Sequence, residues 1–345
     1  MTFSKRLINW YISQKRDLPW RNTKDPYVIW LSEIILQQTR VAQGLPYFLK
    51  FKEAFPDVFA LAQADEQEVL KLWQGLGYYS RARYLHQTAQ FIAFENQGKF
   101  PGDFKGLKQL KGVGNYTAAA IASFSFGEIV PVVDGNVYRV LSRYMGITTD
   151  ISSTEAYRVF SEKAVEVIDR KHPDLFNQAI MEFGAIKCLP KNPECVSCPL
   201  QRDCVAFQTD SVSKLPVKLG KTKVENRYLN YLIMTDPTGN TLVQQRPDQG
   251  FWAKLFEFPL MESLEEQTGI DFSDLITGRV PGASWVDKPL PVYENPTLHK
   301  LSHRNLYIRF WKLQLTSAIP NGISVDELKK LPFPIVIHNF IEKNF

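Results

Sequence analysis

The sequence predicts an all-α domain over residues 1–208 followed by a smaller α+β domain over residues 227–345. Three observations carry this. Helical periodicity with helix-start signals runs to about Gln208, a basic Ser/Pro/Gly-containing stretch occupies residues 209–226, and alternation with turn signals begins beyond it. A chain of 345 residues is long enough for two separate cores, and 44% hydrophobic with 22% charged residues excludes wholesale disorder.

Taken in order, residues 1–10 are polar and amphipathic, without an apolar core ahead of a small-residue cleavage site. No apolar run reaches the length of a membrane span, so a cytoplasmic protein without a membrane partner is expected. Asp25-Pro26 is a helix start, with Asp able to cap and Pro suited to the first turn, and an apolar helix follows over 27–36. Residues 66–79 and 80–94 read as two helices separated near Gly75-Leu76-Gly77. Helices over 104–110 and 115–126 are joined by Lys111-Gly112-Val113-Gly114, and further helices are expected over 136–145, 154–170 and 174–187. The linker 209–226 mixes Ser211, Ser213, Pro216 and Gly220 with Lys214, Lys218, Lys221 and Lys223. Strands over 228–234 and 241–246 flank Asp236-Pro237-Thr238-Gly239-Asn240 as a hairpin, with a further strand over 306–315 and helices over 325–331 and 336–345. There is no internal repeat or low-complexity tract.

The net charge is +5, distributed as +6 over residues 1–225 and −1 over residues 226–345. A polyanion would therefore meet the N-terminal part, although a solvated basic surface has the same signature. All four cysteines fall in Cys188-x6-Cys195-x2-Cys198-x5-Cys204. A secreted disulfide scaffold would spread them through the chain; clustered thiolates suit either tetrahedral zinc or an iron–sulfur cluster.

Two carboxylates stand in informative settings. Glu33 is a lone acid in Trp30-Leu31-Ser32-Glu33-Ile34-Ile35-Leu36-Gln37, where desolvation would raise its pKa; an exposed glutamate on an amphipathic helix is the alternative. Trp30 and Gln37 share its helix face. Asp134, in Val132-Val133-Asp134-Gly135-Asn136, suits a helix N-cap, a role compatible with chemistry. Two acids in such settings suit paired roles, one giving a proton to a leaving group and one stabilising a developing cation.

The cysteine spacing, placed straight after a helix, resembles the endonuclease III superfamily of DNA glycosylases, which implies a [4Fe–4S] cluster in the loop 188–204 held by Cys188, Cys195, Cys198 and Cys204. Lys187, Lys191 and Arg202 surround that loop and are suited to phosphate or simply to solvent. Gly112, Val113 and Gly114, followed by Asn115-Tyr116-Thr117-Ala118, match the helix–hairpin–helix of that superfamily. There the backbone amides at the head of the next helix grip a DNA phosphate; an ordinary glycine-containing turn is the alternative. Tyr116 occupies the position where the bifunctional branch carries a Schiff-base lysine, which argues against lyase chemistry.

The runs 30–41, 75–83, 110–119, 130–140 and 176–188 are similar to the adenine DNA glycosylase (MutY) family. The resemblance implies that Glu33 protonates adenine at N7 and Asp134 stabilises the sugar cation, with Asn136 and Tyr116 supporting them. It further implies Trp20, Arg21 and Gln178 around an adenine flipped out of the stack, and Gln38 and Tyr78 wedged near the opposite base with Thr39 and Leu76 close by. Residues 227–260, with Gln244-Gln245-Arg246-Pro247 and Gly250-Phe251-Trp252, resemble a Nudix fold that reads oxidised guanine. Glu262, Glu265 and Glu266 lack the arrangement of a Nudix catalytic box. Leu301-Ser302-His303 matches the family's Phe-Ser-His loop with leucine for phenylalanine, a polar hairpin turn being the alternative.

The expected protein is thus a helix–hairpin–helix glycosylase domain with an iron–sulfur loop, followed by a Nudix-like domain. It is expected to act as a monomer on double-stranded DNA carrying adenine opposite 8-oxoguanine or guanine. The competing readings are an endonuclease III-like enzyme for oxidised pyrimidines and a non-enzymatic iron–sulfur DNA-binding protein.

Overall fold

A computed structural model describes residues 1–220, 223–267 and 270–345; Lys221 of the expected linker lies outside the described residues. The helices of the N-terminal part are α1 (Phe3–Gln14), α2 (Pro26–Leu36), α3 (Val41–Ala54), α4 (Val58–Gln63), α5 (Glu66–Trp73), α6 (Ser80–Gln90), α7 (Phe104–Leu107), α8 (Asn115–Phe126), α9 (Gly135–Met145), α10 (Ala156–Val167), α11 (Pro173–Ile186) and α12 (Val205–Gln208). Two compact units divide the chain, Met1–Gln63 with Tyr84–Gly220, and Ala64–Arg83 with Lys221–Phe345.

In the first unit, α1, α9 and α11 bury Leu7, Tyr11, Val137, Leu141, Ile180 and Phe183 against one another. The Asp25 carboxylate caps α2 at the Tyr27 N–H, and every side chain from Tyr27 to Ile35 is buried. A helix apolar all round belongs inside a domain. Accordingly α2 packs between α3 and α8, and the small residues Ala118, Ala119 and Ala120 of α8 are fully buried.

The second unit takes in 64–83 because that segment is tied to the C-terminal residues. Lys71 Nζ donates to the carbonyls of Lys329 at 2.7 Å and Leu331 at 3.1 Å, and Arg83 Nη1 donates to that of Asp248 at 3.1 Å. Its strands are β1 (Glu225–Thr235), β2 (Gln244–Gln245), β3 (Phe256–Glu257), β4 (Leu260–Ser263), β5 (Leu290–Pro291), β6 (Thr297–Lys300) and β7 (Arg304–Gln314), with helices α13 (Ser273–Arg279), α14 (Val325–Lys330) and α15 (Ile335–Asn344). The main sheet runs β4-β1-β7-β5, with β6 also on β7; β1 and β7 are parallel and the other pairings antiparallel. One face meets α13 through Leu232, Met234, Phe272 and Ile276. The other meets α15, where Phe310 stacks on Phe340 with ring centroids 3.9 Å apart.

Four sequence expectations are corrected. The helix expected over 66–79 stops at Trp73, because Gly75, Gly77 and Tyr78 follow at φ of 102°, 72° and 48°. The helix expected over 80–94 becomes a π turn at Phe91–Glu95, and that over 104–110 ends at Leu107. The expected hairpin of 228–234 with 241–246 shrinks to one bridge between Thr235 and Thr241, whose other side bridges Ile323. The turn itself forms: Asp236 Oδ1 accepts from the N–H groups of Thr238 and Asn240. Both edges of β1 are occupied by β4 and β7, however, so Gln244–Gln245 pairs with Phe256–Glu257 instead.

Candidate active site

A cavity of about 170 Å³ opens in the first unit, lined among others by Trp20, Arg21, Glu33, Tyr116, Asp134 and Gln178. Asn136 and Thr39 also line it, so the expected catalytic and adenine-contacting residues share one cavity. Gln38 is absent from its lining and stands exposed at φ 57°, just past the end of α2.

Glu33 is 5% exposed, which removes the reading of a solvated surface glutamate. Burial pushes its carboxyl up to about 7, assisted by the charge of Asp134 and opposed by a hydrogen bond with Tyr116 and the charge of Arg21. The same burial, with Glu33 and Asp134 nearby, raises the Tyr116 hydroxyl well above its ordinary range. Asp134 caps α9: its Oδ1 accepts from the Val137 N–H and its Oδ2 from Asn136 Nδ2, both at 2.8 Å. Burial raises its pKa as well, while those donors and Arg139 pull it down. The N-cap and the cavity position thus coexist in one residue.

Arg139 extends the network. It donates through Nη2 to Asn136 Oδ1 at 2.9 Å and to the Gly184 carbonyl at 2.7 Å, and through Nε to the Cys188 carbonyl at 2.8 Å. On the opposite wall Gln178 Oε1 accepts from the Tyr11 hydroxyl at 2.6 Å, leaving its amide N–H groups to donate elsewhere. Trp20 packs edge-on against Phe48.

Sequence reasoning missed Glu182 and Arg16. Both line the cavity, and Glu182 accepts from Arg16 Nη2 at 2.7 Å and Arg21 Nη2 at 2.6 Å. Burial pushes the Glu182 carboxyl up, but the two guanidinium groups more than offset this and hold it at about 2. The available signal was the one that marked Glu33: a single acid in the apolar run Ala179-Ile180-Met181-Glu182-Phe183.

The remaining predicted residues form three further groups. In the helix–hairpin–helix turn, Gly112 adopts φ 76° beside Tyr84, Val113 is buried, and Gly114 is the extended N-cap residue of α8. In the second unit, a cavity of about 480 Å³ brings together Leu76, Tyr78, Ser302 and His303. Tyr78 and Ser302 share a hydroxyl–hydroxyl hydrogen bond of 2.6 Å. Phe251 and Trp252 line it too. Phe251 lies under Arg246 (4.7 Å from the ring centroid), which is itself ion-paired with the buried Glu257.

Third, Cys188, Cys195, Cys198 and Cys204 are free thiols around one small cavity of the first unit. Arg143, buried beside them, donates to Cys188 Sγ at 3.4 Å and to the Leu189 carbonyl at 2.7 Å. Four converging thiols with a buried cation are a donor set that fits an anionic iron–sulfur cluster. Among the described residues no group of three or more His, Cys, Asp or Glu is arranged to hold a metal ion. Of the loop's cations, Lys187 pairs with Glu194 at 2.8 Å, whereas Lys191 and Arg202 are exposed.

Residues 31–166 match the HhH-GPD superfamily base excision DNA repair protein family, and residues 230–343 match the NUDIX domain. Fold and site therefore define a helix–hairpin–helix base-excision repair protein with a Nudix-like domain. Among relatives, the adenine DNA glycosylase of Buchnera aphidicola subsp. Acyrthosiphon pisum (strain APS) is 36% identical over 265 residues, covering 76% of this chain and 75% of that one. The Arabidopsis thaliana adenine DNA glycosylase is 37% identical over 299 residues, covering 75% of this chain; the chain spans about half of that protein, 47%. The solved structure of a thermostable thymine-DNA glycosylase superposes with a TM-score of 0.56 at 29% identity, over 60% of this chain and 95% of that one. The chain belongs to the adenine DNA glycosylase family and is a DNA glycosylase. Among the described residues no helix is long and apolar enough to cross a membrane.

Proposed function

We propose that this enzyme hydrolyses the N-glycosidic bond of adenine mispaired with 8-oxoguanine or guanine, without strand-cleaving lyase activity. The observation that carries the reading is Glu33, buried in a cavity with Tyr116 and Asp134 and held near neutrality. Adenine departs badly as an anion, so it must be protonated as the bond breaks. A carboxyl with a pKa of about 7 is still half protonated at neutral pH and has driving force to give its proton away. In this reading Glu33 donates to N7, and the Tyr116 hydroxyl orients it. Asp134 lies at the positive end of α9 with two N–H donors, which favours its anionic form as the sugar becomes cationic. Trp20, Arg21 and Gln178 enclose the flipped base, and Thr39 and Gln38 approach the mispair from the end of α2.

Residues 1–208 are assigned to the glycosylase domain, 209–226 to a linker, and 227–345 to a reader of the base opposite adenine. Leu76, Tyr78, Ser302 and His303 carry the reading, Gly112, Val113 and Gly114 bind the DNA backbone, and the protein acts as a cytoplasmic monomer. The four cysteines would hold a [4Fe–4S] cluster. When bound, the cluster would supply no acid or base and would cross-link the 188–204 loop through its four cysteines. Visible absorption with iron and sulfide analysis of the purified protein tests that assignment.

Supporting the monofunctional reading, the residue hydrogen-bonded to Glu33 is a tyrosine, which has no amine to form an imine. The test is single-turnover cleavage of duplexes bearing A opposite 8-oxoguanine, A opposite G, and an oxidised pyrimidine. Alkali-dependent cleavage at adenine alone is expected, and Glu33→Gln should abolish it while retaining mispair binding. Near-normal cleavage by that variant sinks the acid role, and a borohydride-trapped covalent complex sinks the monofunctional one.

A further inference from the structure

Tyr78 is held by parts of the second unit beyond its own backbone. It stands at φ 48°, a left-handed conformation that is strained for a bulky residue, and it is 49% exposed at the cavity containing Ser302. Something must fix a half-exposed ring in a disfavoured backbone state. On one side its hydroxyl meets Ser302 Oγ at 2.6 Å. On the other lies Arg81, only 8% exposed, with its guanidinium 5.3 Å from the Tyr78 ring centroid and 5.2 Å from that of Trp73. Arg81 Nη2 also points at the carbonyls of Gly77 (3.4 Å) and Leu76 (3.5 Å), and its backbone N–H donates to the Tyr78 carbonyl at 2.8 Å. Trp73 Nε1 closes the turn on the Gly77 carbonyl at 2.9 Å. Burial lowers the Arg81 pKa only to about 10, so the cation persists at neutral pH.

We propose that Arg81 is a positioning residue for mispair discrimination: its guanidinium fixes the Tyr78 ring so that the Tyr78 and Ser302 hydroxyls are presented as one preassembled reader of the base opposite adenine. The inference rests on the reading of this cavity as the site for that base. A planar cation stacked on an aromatic face is attractive and orientationally specific, which a lysine ammonium cannot reproduce. Preassembly means that the two hydroxyls lose little freedom when they engage a purine edge, so affinity is gained only where the edge matches them.

The test is a double-mutant cycle on the full chain, reading the ratio of kcat/KM for A opposite 8-oxoguanine to that for A opposite G. Arg81→Met and Ser302→Ala are each expected to lower that ratio about tenfold. The double variant should be no worse than the worse single, because both changes disable the same unit. A ratio unchanged in Arg81→Met, equal losses on both duplexes, or a double variant whose loss is the product of the two singles overturns the proposal. An unchanged ratio in Ser302→Ala brings down the reading of the cavity itself, and the Arg81 proposal with it. If Arg81→Met does not fold, Arg81→Lys in the same cycle decides, with the same outcomes.

Discussion

Arg21 Nη2 donates to Glu182 Oε2 at 2.6 Å, and this contact puts two buried glutamates of one cavity into opposite states. Glu182 receives two guanidinium groups and is held at about 2, anionic at neutral pH. Glu33 receives a tyrosine hydroxyl and only the more distant charge of Arg21, and burial takes it to about 7. The same side chain is thus a fixed counter-ion on α11 and, in the proposed mechanism, a proton carrier on α2. Environments that push two acids apart are how one site acquires both functions at neutral pH.

The first prediction concerns pH. If protonated Glu33 is the acid, the single-turnover rate falls as pH rises through about 7. Stability has its own sign. A carboxyl raised in the folded state binds its proton more tightly there, so stability declines as pH rises from the ordinary value of 4.5 to about 7 and stays low above that. Glu33→Gln should therefore stabilise the protein by about 3 kcal/mol at pH 8 and by little at pH 4. Urea melts of both proteins at the two pH values check this, and equal differences at both would contradict it.

Glu182 predicts the reverse. Its folded pKa is depressed, so its contribution is fully present above about 4.5 and is lost as pH falls towards about 2. Glu182→Gln should cost about 3 kcal/mol at pH 7, and the gap to wild type should narrow by pH 3. Arg21 also loses its fixed partner, so KM should rise. A variant as stable as wild type at pH 7 would show that Arg16 and Arg21 find other partners.

How far these sites were legible differs residue by residue. Glu33 was visible because an acid in a strongly apolar helix is conspicuous, and its burial follows from the helix being apolar all round. Glu182 carried the same mark but was overlooked, because its partners Arg16 and Arg21 lie more than 160 residues away. The hairpin at Asp236 misled because alternation specifies an extended chain without specifying its neighbour; the neighbour of β1 is β7, far along the sequence. Arg81 was not singled out, and Phe251 entered only as part of Gly250-Phe251-Trp252. Their significance lies in ring–cation contacts that no spacing rule encodes.

Arg139 joins the candidate catalytic cap to the cysteine loop, and this link predicts a joint failure. It is 9% exposed and serves Asn136 Oδ1 and the carbonyls of Gly184 and Cys188. Arg139→Met leaves these acceptors, and the Gly135 carbonyl that Nη1 also meets at 3.4 Å, without that donor and should cost about 2–4 kcal/mol. Because Asn136 in turn donates to Asp134, the single-turnover rate should drop as well. Thermal melts and rates measured side by side decide it; a destabilised variant with an unchanged rate would confine Arg139 to the loop.

The two glycines of the helix–hairpin–helix turn should part company on substitution. Gly112 stands at φ 76°, and a Cβ there would lie 2.7 Å from Tyr84 Cβ, an atom too close to its own backbone to move cheaply. Gly112→Ala should therefore destabilise the first unit by about 2 kcal/mol or more. Gly114 is extended, at φ −87° and ψ −178°, and a Cβ there meets nothing within 4 Å. Gly114→Ala should cost less than about 1 kcal/mol, the difference between glycine and alanine as an N-cap. If the head of α8 receives a DNA phosphate, however, the added methyl intrudes on the path to the Tyr116 and Thr117 amides. Duplex affinity should then fall about tenfold for matched and mispaired DNA alike, since a backbone contact carries no sequence information. Fluorescence anisotropy with both duplexes measures it, and wild-type affinity in a stably folded Gly114→Ala protein would remove the phosphate from this turn.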